Sequence, residues 1–127
     1  MELGTIGIWR RHQVGLEGVA EIEAAGFGTL WLGSSPSLEQ VRPFLERSSA
    51  ITVATGILNV WMHTPEETAA EHARLTAAHG KRFLCGLGIS HRPLIDRVNP
   101  GRHLRQADRD HVELPGRARC RFAAAGS

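Results

Sequence analysis

The chain has 127 residues, enough for one ordinary domain and too few for two. Hydrophobic residues make up 42% and charged residues 22%, a balance that supports a packed core and excludes global disorder. The net charge of +2 is uneven: residues 1–96 carry eight bases and ten acids, residues 97–127 seven bases and three acids.

No run approaches the ~18 apolar residues of a membrane span. The N-terminal stretch lacks the basic flank and small-residue cleavage site of a secretory signal. Two cysteines, Cys85 and Cys120, make no disulfide framework and point to a reducing cytoplasm. Of the 15 basic residues only Lys81 is lysine, a bias that reports a GC-rich genome rather than a function.

In chain order, residues 3–9 (LGTIGIW) are short, apolar and β-branched, and read as a buried strand. Residues 14–25 place Leu16, Val19, Ala20 and Ile22 toward one side, the pattern of an amphipathic helix, with Gly26 where a left-handed residue ends it. Residues 28–32 are a second apolar strand. Ser35 before Pro36 reads as an N-cap with proline at the first helical position, opening a helix to about residue 48. Residues 51–58 are β-branched and form the third strand. Thr64-Pro65-Glu66-Glu67 carries a capping box, and the helix it opens ends at Gly80. Residues 82–89 are the fourth strand.

Strand starts near 3, 28, 51 and 82 give a β-α repeat, which implies a parallel sheet with right-handed crossovers. No Gly-x-Gly-x-x-Gly follows the first strand, which disfavours a dinucleotide-binding fold. The expected class is α/β: about four βα units, half of a (β/α)8 TIM barrel, since a whole barrel takes ~250 residues.

Three segments carry a resemblance: Glu21 to Gly33 (EIEAAGFGTLWLG), Val53 to Trp61 (VATGILNVW) and Arg82 to His91 (RFLCGLGISH). Over residues 3–100 the chain resembles the luciferase-like monooxygenase superfamily, and in particular its actinobacterial members that use the deazaflavin coenzyme F420, with FMN the alternative. The resemblance implies an oxidoreductase that transfers hydride to or from a small-molecule substrate. It also implies a flavin-like ring at the C-terminal ends of the strands, leaning on a non-prolyl cis peptide after the third strand. That bond would be Gly56–Ile57; on local grounds an ordinary trans strand with a glycine at a bulge serves as well.

His91 directly follows the fourth strand, where relatives that oxidise sugar phosphates carry a glutamate acting as general acid. An imidazole titrating near neutrality suits the same proton transfer, while a loop histidine capping a carbonyl is the ordinary alternative. Gly88 and Ser90 match positions where relatives bring backbone close to the coenzyme. Asn59 can donate to and accept from the pyrimidine-like edge of a deazaflavin, or simply hold a turn. Trp61 would wall the pocket or cover the barrel mouth. Many relatives place an Asp-His pair after the second strand; here Gly33-Ser34-Ser35 stands instead. That removes the obvious base for alcohol oxidation and leaves Ser34 as a coenzyme contact or a helix entry. His12, His63 and His91 follow strands with no accompanying carboxylate, so no metal site is expected. Cys85 sits mid-strand and reads as core.

After Pro100 the periodicity stops. Residues 101–127 read as an irregular or disordered basic tail, of the kind an out-of-frame reading yields where a frameshift or truncation cut the barrel near residue 102. Seven arginines with one aromatic, Phe122, make a poor nucleic-acid footprint. Neither nucleic acid nor membrane is expected as a partner. Two unpaired sheet edges would favour a homo-oligomer. The other reading of the whole is a catalytically inactive half-barrel, a remnant or a subunit needing a complement.

Overall fold

The computed structural model describes residues 1–89 and the single position Arg97. Four strands alternate with three α-helices: β1 (Gly7–Arg11), α1 (Val19–Ala24), β2 (Thr29–Gly33), α2 (Leu38–Arg47), β3 (Thr52–Asn59), α3 (Pro65–His79) and β4 (Phe83–Gly88). Short 3-10 turns follow β1 at His12–Val14 and α3 at Gly80–Arg82. The sheet runs β1-β2-β3-β4, every pair parallel. Each crossover therefore lands the next strand beside the last, with no reversal of order within the sheet.

One sheet face carries the core. Ile8, Leu30, Val53 and Phe83 lie in one register row and Leu32 and Cys85 in the next. They pack with Val19 of α1, Leu38, Val41, Phe44 and Leu45 of α2, and Leu75 of α3. The spacing of Leu38, Val41 and Leu45 is the i, i+3, i+7 stripe of an amphipathic helix. Strand alternation sends Trp9, Trp31, Ala54 and Leu84 to the opposite face.

The repeat and its order match the sequence-based expectation; the boundaries shift for local reasons. The first helix begins five residues later than its apolar pattern, because Gly15 and Gly18 take positive φ and break the chain ahead of Val19. Its end is as expected: Gly26 is left-handed (φ +87°). The amides of Gly26 and Phe27 turn back to the carbonyls of Glu23 and Ile22, a Schellman closure. The cap of α2 is Ser37 rather than Ser35. The Ser37 side chain accepts from the Gln40 amide and the Gln40 side chain accepts from the Ser37 amide, a full capping box. The box at Thr64 and Glu67 forms as read, and these bonds hold the Glu67 carboxyl below its ordinary pKa.

Two polar clasps tie the N-terminal end of the sheet to the helices. The Glu23 carboxylate accepts from the amides of Ser49, Ala50 and Ile51 and from the Ser49 hydroxyl. Burial alone would raise its pKa, but these donors outweigh it and bring the carboxyl from 4.5 down to about 2. The Arg82 guanidinium donates to the carbonyls of Leu45 and Ser48, closing the C-terminal end of α2. No described helix is long and apolar enough to cross a membrane.

Candidate functional site

The C-terminal end of the sheet gathers the candidate residues. Arg11 pairs with Gly33, and Leu32 with Thr55. His12, Ser34, Gly56 and Ile57 therefore emerge at one level from three adjacent strands. Asn59 pairs with Gly88 one step further on, between β3 and β4.

Between Thr55 and Leu58 the β3–β4 register shifts, a bulge of the sort that re-aims side chains at the rim of a sheet. The Thr55 hydroxyl holds it together. It accepts from the Gly86 amide at 2.9 Å and donates to the Gly86 carbonyl at 3.1 Å, replacing backbone ladder bonds with a side chain. Thr55 is fully buried, so both bonds sit out of water. Gly86 has to be glycine, because a Cβ there would run into the Thr55 carbonyl. The bulge pushes Gly56 and Ile57 outward; Ile57 is 50% exposed and lies over Gly88. A Cβ on Gly56 would meet nothing within 4 Å, so open space stands over this peptide.

The Gly56–Ile57 bond itself corrects an expectation. It is trans, as no cis peptide bond occurs among the described residues. The trans form is favoured by ~2.5–4 kcal/mol at a non-proline bond, and the bulge supplies the irregularity without that cost. The ledge is therefore built by an extra residue in the strand.

Asn59 is already engaged within the protein. It is 2% exposed, and its Oδ1 accepts from the Trp61 amide at 3.0 Å. Its carbonyl accepts from Met62, completing a turn. Trp61 is buried beneath that turn, with its indole donating to the Ile89 carbonyl at 2.9 Å. Ser34 is exposed with φ +66°, followed by Ser35 at φ +48°. Left-handed non-glycine residues cost about 1–3 kcal/mol each and gather at functional edges. The strain lies beside the ledge, where the chain leaves β2. Ser90 and His91 lie outside the described residues, as do residues 101–127 with the tail and frameshift expectations.

The open sheet face carries two tryptophans lying flat. The Trp9 indole covers Gly33, where any side chain would collide with the ring, and the Trp31 indole covers Gly7. The sequence reading assigned no role to either residue; glycines one register step from tryptophans were the available signal. His12 Nδ1 lies 3.0 Å from the Gly33 carbonyl. A carbonyl only accepts, so Nδ1 is the donor in this contact.

His63 lies elsewhere, in a concavity of about 510 Å³ between α2 and α3, with Ser37, Met62, Glu67 and Glu71. Glu71 there bridges Arg42 and Arg74. No three potential metal ligands converge among the described residues. No family model and no curated protein matches the chain.

Proposed function

We propose that the chain is the N-terminal half of a luciferase-like (β/α)8 barrel that moves hydride between a deazaflavin coenzyme of the F420 type and a small organic substrate. The observation that carries this reading is the Gly56–Ile57 ledge. It is exposed and apolar, and it sits at the C-terminal end of sequentially ordered parallel strands, where barrels hold their ligands. The residues present suit a planar ring in part. Ile57 offers an apolar platform, Gly56 leaves room above the peptide, and Gly88 lets Ile57 lie close to the sheet. The Asn59 oxygen is already taken by the Trp61 amide, so ring-edge contacts fall to backbone groups and to Ser34.

The coenzyme, when bound, supplies the hydride chemistry. The protein's part is to hold and orient the ring and to move a proton. His91 is assigned that proton transfer, with Gly88 and Ser90 bringing backbone close to the ring. The Gly33-Ser34-Ser35 sequence offers no base for an alcohol, which favours reduction of an enone or imine.

A second reading is a half-barrel without catalytic activity, favoured by the exposure of Trp9 and Ile57 on the open face. Fluorescence titration with F420 and with FMN separates the two. An active half-barrel binds one of them saturably, and His91→Ala keeps that binding while losing turnover. Binding of neither supports the inactive form.

A further inference from the structure

The described sheet has two unlike edges and an uncovered face. β1 pairs only with β2, and β4 only with β3. The face opposite the helices exposes Trp9 at 60% and Ile57 at 50%, with Leu3 at its lower margin and Trp31 and Leu84 half-buried. The margin itself is tied down. Thr29 and Thr52, on that face, donate their hydroxyls to the carbonyls of Leu3 and Glu2, so the first residues cross the sheet's N-terminal end. The glycines beneath Trp9, Trp31 and Ile57 let these side chains lie flat. The result is a smooth apolar layer that ends at the Gly56–Ile57 ledge on the C-terminal rim.

We propose that a second copy of this chain covers this face and pairs with both edges. Geometry makes the copy a suitable occupant. All four strands are parallel and in sequential order. A twofold axis along the strand direction keeps a second sheet parallel to the first. It sets β4 of each copy beside β1 of the other, giving the order 1-2-3-4-1-2-3-4. One symmetry operation thus satisfies both edges, closes eight strands, the number of a filled barrel, and turns both apolar faces inward. An antiparallel partner would satisfy an edge without closing the ring.

Trp9 contributes about 150 Å² at its observed exposure, and the whole face on the order of 400 Å² per copy. Doubled, this is about 800 Å², roughly two-thirds of the ~1,200 Å² at which stable interfaces begin, and the two new strand pairings must supply the rest. The proposal rests on sheet geometry and not on the coenzyme reading; the two share Ile57, whereas Trp9→Asp and the exchange map report on the dimer alone.

The test is sedimentation equilibrium of the full 127-residue chain, with amide hydrogen exchange mapped against chain concentration. The expected result is a species of twice 13.9 kDa in which amides of Gly7–Arg11 and Phe83–Gly88 exchange more slowly as concentration rises. Trp9→Asp and Ile57→Lys should each weaken the dimer at least tenfold while far-UV dichroism stays unchanged. If Trp9→Asp unfolds the chain, Ile57→Lys and the exchange map decide. A monomer at every concentration overturns the proposal, including a monomer whose face is covered by residues 90–127. A dimer that protects α2 and α3 instead, or that ignores the folded face variants, overturns it as well.

Discussion

The Glu23 clasp yields the sharpest stability prediction. One carboxylate accepts from three successive backbone amides and the Ser49 hydroxyl, joining α1 to the start of β3. Glu23→Gln keeps the shape but puts N–H donors where one oxygen accepted, orphaning part of the Ser49–Ile51 amide row. The fall of the carboxyl from 4.5 to about 2 corresponds to about 3 kcal/mol if fully realised. The group is half-buried and water screens it, so about 1–2 kcal/mol is expected. That is roughly a 5–15 °C fall in melting temperature for a domain of this size.

The pH dependence follows from the sign of the shift. A carboxyl with a depressed folded pKa contributes fully above its unfolded value near 4.5. The contribution fades as pH falls toward 2. Urea unfolding of wild type and Glu23→Gln should therefore differ by a constant amount from neutral pH to about 5, and the difference should shrink steadily below that. The other carboxylates are common to both proteins and cancel. Equal stabilities at neutral pH, or a difference that persists unchanged to the lowest measurable pH, would refute the charge-based reasoning.

Three further outcomes are expected. Thr55→Val removes the hydroxyl that satisfies both Gly86 groups and should cost about 1–3 kcal/mol in urea unfolding, with faster amide exchange at Gly86. Gly33→Val should lift Trp9 from the sheet and red-shift its emission, while Gly56→Ala, with open space above it, should leave emission unchanged. Thr64→Ala breaks the α3 capping box and should lower stability by about 1 kcal/mol in the same urea assay.

What the sequence disclosed was whatever is local. The Thr64–Glu67 box, the glycine stop at Gly26 and the β-branched run of β3 are written within a few consecutive residues, and all three appear in the structure. The Ser37 cap was missed because Ser35-Pro36 offered a competing local signal, and only the left-handed turn at Ser34 and Ser35 carries the start of α2 two residues on. The Thr55–Gly86 bonds and the Glu23 clasp join residues 26–31 apart in sequence, so no local spacing marks them. The ledge was legible as a glycine in a strand, but its bulged trans geometry depends on how β4 sits beside β3.

The most direct test of the proposed function is calorimetric titration of the full chain with F420, wild type beside Ile57→Asp. A charge on the half-exposed platform should leave far-UV dichroism unchanged and weaken coenzyme binding at least tenfold. A wild-type chain that takes up no F420 or FMN, or a folded Ile57→Asp variant that binds as tightly as wild type, would contradict the assignment of this ledge as the ring platform.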